Sequence, residues 1–308
     1  MAEEVSQDES PNGAGAHLHR RSDRPLKGVF LMIAGSVLIT FNDASTKIVV
    51  TDHSVSQAIF IRGIFTLLPV LYLVYRAGGW QAAKWNSLWS QLLCAVPLVG
   101  SLFLFIYSLS FIPIAIATII FYLSPLFVTA LAPMLGERVG WRRWGAVLLG
   151  FGGAVLVIEP TGDSFSWGIL VPVVAAFTLA LRDVATRKIV DGETSLSILV
   201  VSSVAIIIAA LPPAVIDWTP LSMWDLALLA FSGLAFGFSL YLLTEAFRFA
   251  DASLVSPIKY SGVLMAAVLG YVIWGDVPSV SALFGAVLIV ASLLVILRRE
   301  QVLGLDDG

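Results

Sequence analysis

A few ionisable side chains stand inside long apolar runs: Asp43 and Lys47 in GVFLMIAGSVLITFNDASTKIVV, Arg62 in the next run, and Glu245 and Lys259 further on. An ionised group amid hydrocarbon is costly, and such groups face a protein interior or water. With a helix beginning near Gly28, Asp43 lies ~22 Å along it at 1.5 Å per residue, well within a hydrocarbon core of about 30 Å. Lys47 follows at i+4 on the same face, so the expectation is an internal Asp43–Lys47 pair that lowers the cost of both. The competing reading gives Asn42 or Asp43 to solute or proton binding. Arg62 keeps its charge and needs an acidic partner, carbonyl oxygens or a polar cavity. It reads either as a pocket residue or as a counter-ion for Asp43 or Glu245. Lys259 and Tyr260 follow Pro257, which lacks a backbone donor and can leave a carbonyl free for a ligand. Pocket lining and snorkelling both fit Lys259. The hydroxyls of Tyr107, Tyr122, Tyr241 and Tyr260 need partners at depth, in a pocket or in the core. Glu245 reads as the partner of Arg248, three residues on, or as a group that takes up a proton when solute leaves.

Other chemistry is thinly represented. No GxxxxGK[ST] loop is present, which argues against ATP-driven transport by this chain alone. The histidines are His17, His19 and His53, and the single cysteine is Cys94. That stock supports neither a metal site, nor a disulfide framework, nor a catalytic triad. The expectation is a non-enzyme without cofactor or metal. The net charge of -3 argues against a nucleic-acid partner. Ala146, Gly150 and Ala154, and separately Gly233 and Gly237, are spaced for close helix packing. Glu137 and Asp276 follow glycines in tight turns and are expected to cap the next helix.

The elements that carry these residues are set by composition. Of 308 residues, 58% are hydrophobic and 13% charged, against about half and a quarter in soluble domains, so lipid must cover part of the surface. At ~20 residues per crossing the chain has room for about ten spans, near 28–50, 55–75, 91–111, 112–135, 142–159, 165–190, 194–216, 222–248, 251–274 and 278–297. Pro97, Pro125 and Pro172 predict kinks inside them. Residues 1–26 are polar and lack the apolar core of a signal peptide, and they read as a disordered tail. Arg20, Arg21, Arg24 and Lys27 before the first span, Arg76 and Lys84, Arg142 and Arg143, Arg182, Arg187 and Arg298 fall on one side of an alternating topology. The connections 51–54, 160–164, 217–221 and 275–278 carry no Lys or Arg. Both termini are therefore expected in the cytoplasm.

The chain also repeats itself. NDASTKIVV at 42–50 and RDVATRKIV at 182–190 match at an offset of 140, aligning Asp43 with Asp183 and Lys47 with Arg187. Leu135-Gly136-Glu137 is echoed by Trp274-Gly275-Asp276 at an offset of 139. A unit with an odd number of spans copied in tandem leaves its second copy upside down, an architecture of secondary transporters. The expected fold is thus an all-α membrane protein of ten transmembrane helices in two inverted five-helix repeats. Residues 27–160 and 161–299 form the repeats, with a tail at 1–26 and a cytoplasmic tail at 300–308.

Asn42-Asp43 through Lys47, Arg62-Gly63, Tyr122-Leu-Ser-Pro125 to Gly136-Glu137-Arg138, Trp141-Arg-Arg-Trp144-Gly145, Pro257-Ile-Lys259-Tyr260 and Gly275-Asp276-Val277-Pro278 together resemble the ten-span EamA-type branch of the drug/metabolite transporter superfamily. Asp276 stands where many relatives have Glu. The resemblance implies a carrier of the bacterial inner membrane, working by alternating access around a cavity lined by the first, third, fourth, sixth, eighth and ninth helices. It is nearest the branch of S-adenosylmethionine and riboflavin uptake carriers. The function expected is secondary transport of a small polar or zwitterionic metabolite, with Asn42, Asp43, Arg62, Tyr107, Tyr122, Lys259 and Tyr260 as solute-binding candidates. Asp43 and Glu245 are candidates for coupling to protons. The alternatives are an exporter of amino acids or amphipathic drugs, and a receptor or scaffold that carries nothing.

Overall fold

A computed structural model describes residues 25–135, 139–158, 167–189, 193–249, 258 and 260–306. Glu137, Arg138, Pro257 and Lys259, and the side chains of Arg187 and Arg248, lie outside the described residues. The helices are α1 (Pro25–Val50), α2 (Val55–Arg76), α3 (Leu88–Leu109), α4 (Ile114–Phe121), α5 (Ser124–Leu131), α6 (Trp141–Ile158), α7 (Val171–Ile189), α8 (Ser195–Ile216), α9 (Met223–Phe249), α10 (Ser261–Leu269) and α11 (Val280–Asp306). Among the described residues, eight helical segments are long and apolar enough to cross a membrane, with α4 and α5 together making one. Ser261–Trp274 and Val280–Ile296 are shorter apolar helices.

Local chemistry explains the boundaries. Ser54, Ser87 and Thr194 each accept a hydrogen bond from the backbone N–H three residues on, satisfying a donor that the first helical turn leaves free. The fourth apolar run is not one helix, because Pro125 has no N–H to donate to Phe121. The chain instead makes a tight turn at Tyr122–Leu123, with Leu126 N–H bonded to Leu123 O at 2.9 Å. Pro97, by contrast, sits within a continuous α3. Asp276 does not cap α11; Ser279 does, accepting from Ala282 N at 3.0 Å. Three residues separate Asp276 from the helix start, too far for its carboxylate to replace Ser279 Oγ. The final helix continues to Asp306, beyond the expected end of the last span.

The helices pack in a paired pattern. α1 lies along α9 and α3 along α7, α2 packs on α8 and α9, α6 packs on α11, and α10 contacts α1 and α4. Small residues make the closest of these contacts. A Cβ on Gly285 would sit 2.4 Å from Gly153 O, and one on Gly153 would sit 2.7 Å from Gly285 O, so α6 and α11 touch through backbone. A Cβ on Gly150 would lie 2.3 Å from Leu126 Cδ1. With no hydrophobic drive between helices in lipid, such close backbone approach is a main source of association.

Polar ties join the helix ends at both faces. On the face reached by the end of α1, Gln57 Nε2 donates to Thr219 O at 2.7 Å and Thr219 N donates to Gln57 Oε1 at 3.2 Å. His53 adds contacts to Thr219 Oγ1 at 2.7 Å and to Asp225 Oδ2 at 3.4 Å. On the amino-terminal face, the buried Glu193 carboxylate accepts from Ser87 N at 2.7 Å, Asn86 N at 3.1 Å and Gln91 Nε2 at 2.8 Å. Burial alone would push this carboxyl up, but the hydrogen bonds from Ser87, Asn86, Gln91 and Ser197 outweigh it and hold it below the usual carboxylate range.

A depressed native-state value stabilises the fold above the unfolded-state pKa of about 4.3 and loses that effect as pH falls through the folded value. Glu193→Gln should therefore lower the Tm at pH 7 by roughly 2–5 °C, with the gap to wild type closing in melts below pH ~4. Gly285→Val should destabilise by about 1–3 kcal/mol, read as early thermal unfolding in detergent.

Candidate functional site

The ionic residues of α1 and α2 are gathered by a third helix, α9. Gly233 is the reason they meet: a Cβ there would lie 2.4 Å from Arg62 O, so α2 and α9 run in backbone contact. Its neighbour Ser232 reaches α1. Asn42 then joins the set. Its Oδ1 accepts from Arg62 Nη1 at 3.1 Å and from Ser232 Oγ at 2.7 Å, while its Nδ2 donates to Asp43 Oδ1 at 2.8 Å. This orientation of the amide suits every neighbour, since Arg62 can only donate and an ionised carboxylate can only accept. Thr46 Oγ1 donates to Asn42 O at 2.8 Å and lies 2.8 Å from Ser232 Oγ.

Asn42, Arg62 and Ser232 are buried, and Asp43 is 8% exposed. Arg62 stands over the Phe236 ring at 5.2 Å from its centroid, and it interacts electrostatically with Asp43 through the bridging amide. Asp43 Oδ2 accepts no hydrogen bond from the described residues.

Lys47 does not pair with Asp43. Its Nζ donates to Ile112 O at 2.6 Å and sits 5.0 Å from the Trp274 ring centroid, with Asp276 as its electrostatic partner. The i+4 spacing made the Asp43 pair available, but carbonyl, ring and carboxylate from two other connections offered Lys47 more. In the second half, Asp183 Oδ1 accepts from its neighbour Arg182 Nη1 at 2.9 Å, and the side chain of Arg187, its expected partner, lies outside the described residues.

Tyr122 and Tyr260 are brought together. Each occupies a helix break, before α5 and before α10, and their rings meet edge to face with centroids 5.1 Å apart. A Cβ on Gly262 would lie 3.0 Å from the Tyr122 hydroxyl, so this ring rests on the α10 backbone. Tyr122 also interacts electrostatically with Asp43, so the ring pair borders the network. Tyr107 stands apart, 52% exposed near the end of α3, with its ring edge-on to Phe111.

A cavity of about 900 Å³ lies between α2, α3, α7, α8 and α9 and reaches the amino-terminal face, where Arg76 ends α2 and Ser195 begins α8. Glu245 and Tyr241 line it, whereas Asn42, Asp43, Arg62, Tyr122 and Tyr260 do not. Its helices differ from the set that the family resemblance implied, sharing the third, sixth and eighth spans and adding the second and seventh. Phe238, on its wall, is two residues from the Phe236 that carries Arg62. Ser232 and Phe236 were missed in the sequence, where a serine among apolar residues carries no signal of its partner helix; Gly233 was legible there as a packing residue, but not as the one that gathers this network.

This architecture has relatives. The sequence pattern of the EamA-like transporter family matches twice, over residues 26–159 and 166–298. The S-adenosylmethionine uptake transporter of Rickettsia prowazekii is 30% identical over 278 residues, covering 90% of this chain and 94% of that protein. The riboflavin transporter of Vibrio cholerae is 28% identical, covering 90% and 94%. The pseudopaline exporter CntI of Pseudomonas aeruginosa is 26% identical, covering 89% and 97%. A crystal structure 19% identical superposes with a TM-score of 0.60 over 90% of this chain and 96% of its own, which supports the fold. These relatives are membrane transporters and not enzymes. The chain is a multi-pass transporter of small metabolites and belongs to the EamA-like transporter family.

Proposed function

We propose that the protein imports S-adenosylmethionine, or a closely similar zwitterion bearing an extra positive charge, by alternating access. The observation that carries this reading is the buried Asn42–Asp43–Arg62–Ser232 network, in which Asp43 Oδ2 is left without a hydrogen bond from the described residues. S-adenosylmethionine brings a sulfonium and an ammonium to meet a carboxylate, a carboxylate to meet a guanidinium, and a purine to stack on aromatic rings. Tyr122 and Tyr260 supply such rings beside the network. Lys259 and Tyr107 are proposed as further contacts in the solute's path. The S-adenosylmethionine uptake transporter among its relatives lends the solute, and the exporter among them shows why direction needs its own test.

The moving parts proposed are two inverted five-helix repeats, 27–160 and 161–299. Supporting this, the family pattern matches twice, and hydrogen bonds recur at an offset of 140. Asn42 donates to Asp43 as Arg182 does to Asp183. Thr46 donates to Asn42 O as Thr186 does to Arg182 O. Ser54 caps Gln57 N as Thr194 caps Ser197 N. Across helices, the Thr46–Ser232 contact of α1 with α9 is mirrored by Thr186 and Cys94 of α7 and α3 at 3.3 Å.

With the amino-terminal face placed in the cytoplasm of a bacterial inner membrane, the cavity opens inward and the His53–Gln57–Thr219 tie closes the outside. In this state solute has been released. Protons are the proposed coupling ion, through Asp43 and Glu245.

The test is uptake and counterflow of labelled S-adenosylmethionine in proteoliposomes. Saturable counterflow is expected, with Asp43→Asn lowering kcat/KM by more than about tenfold, equivalent to ~1.4 kcal/mol of lost interaction. Lys259→Ala should abolish transport in protein that still reaches the membrane. An absence of counterflow for S-adenosylmethionine would refute the solute assigned. Accumulation indifferent to an imposed pH gradient would refute proton coupling.

A further inference from the structure

The second half of the chain contains a copy of the central network that is not satisfied. By the offset of 140, Arg182 occupies the place of Asn42 and Ser202 the place of Arg62. In the first half, the Asn42 and Arg62 side chains bond each other and Ser232. In the second half, Arg182 bonds Asp183 through Nη1, but its Nε is buried with no hydrogen-bond partner among the described residues. Ser202 is 4% exposed, and its Oγ is likewise buried without a partner. Both residues line the 900 Å³ cavity, which Arg76 also reaches from the end of α2.

Two orphaned donors, on α7 and α8 and lining one cavity, are a costly arrangement if nothing ever joins them, since a buried donor without a partner forfeits its hydration for nothing. A guanidinium N–H and a hydroxyl both donate to a carboxylate, and a charge-assisted bond of that kind is roughly twice as strong as a neutral one. The negative groups nearby are Asp183, already engaged with Arg182 Nη1, and Glu245, across the cavity on α9.

We propose that Arg182 and Ser202 form a second solute subsite in this cavity, one that takes the carboxylate of an amino-acid-type metabolite after it leaves the central network. Arg76 draws the anionic group toward the mouth. The solute then steps between two repeat-related polar sites, a central one that offers one carboxylate oxygen, Asp43 Oδ2, and a peripheral one that offers the Arg182 and Ser202 donors. The occupant assigned rests on the transport reading above; the affinity of the subsite for anions does not.

Two measurements separate those parts. In purified protein carrying Leu199→Cys, on the cavity wall, labelling rates are compared for a sulfonate-bearing and a trimethylammonium-bearing methanethiosulfonate. Unaltered protein, whose single Cys94 is buried, sets the background. Relative to a free thiol, the sulfonate reagent should be favoured about tenfold or more, within the range by which a charged cleft concentrates ions. Arg182→Gln should remove that preference, and Ser202→Ala, a change of one hydroxyl, should weaken protection by solute without altering the fold. Equal rates for the two reagents, or a preference that survives Arg182→Gln, would overturn the subsite. S-adenosylmethionine should protect the thiol at concentrations about tenfold below those required of its decarboxylated analogue. Equal protection by both overturns carboxylate recognition. Anion preference with protection by neither sustains the subsite and rejects S-adenosylmethionine as its occupant.

Discussion

A permanent positive charge at mid-membrane must be answered by the protein, because hydrocarbon offers it nothing. In this chain the answer passes through one amide. Asn42 takes two donors on its oxygen, from Arg62 and Ser232, and gives one hydrogen to Asp43, so three helices are tied at one point. The arrangement holds cation and anion close without a direct ion pair. A direct pair would leave both groups internally satisfied; the amide between them leaves carboxylate capacity over. Gly233 is what permits it, since any side chain there would drive α2 and α9 apart. A packing constraint, the missing Cβ, thereby sets the electrostatics of the site.

The two ends of the bundle solve a different problem, holding helices together where water competes. On one face a glutamine, a histidine and a threonine interlock; on the other Glu193 collects the free N–H groups at the start of α3. The ties are hydrogen bonds between part-buried groups at the helix ends, and water can take over their partners once an end opens, so their net individual worth is modest. The glycine contacts of α6 with α11 are of the opposite kind, backbone against backbone. The alternating-access reading uses this contrast. On that proposal the pair α6–α11 would act as a fixed seam, and the polar ties would open and close in turn about the Asn42 joint.

Much of the fold was legible in the sequence because composition and lipid dictate it: among the described residues, eight apolar runs of spanning length became helical segments close to their expected bounds, and Gly150 and Gly233 lie in the tight contacts their spacing suggested. The break in the fourth run needed only the rule that Pro125 cannot donate, yet the apolar pattern alone hid it. Partner choice was harder to read. Asp43 and Lys47 look like a pair along one helix, but Ile112 O, Trp274 and Asp276 come from distant connections, and sequence spacing says nothing about them. Ser232 and Ser202 illustrate the same limit. Each is a small polar residue in an apolar run, and only the packing distinguishes the one that is saturated from the one that is not.

In the proposed transport cycle, solute binding reverses which face of the bundle is open. Pulsed electron–electron spin resonance on two labelled pairs tests it directly: Asp52 with Asp217 beside the tie at the end of α1, and Ala77 with Ser195 at the cavity mouth. Saturating S-adenosylmethionine in lipid nanodiscs should lengthen the first distance in a fraction of molecules and shorten the second in the same fraction. Both distances staying single and unchanged, in protein that demonstrably binds the solute, would contradict alternating access.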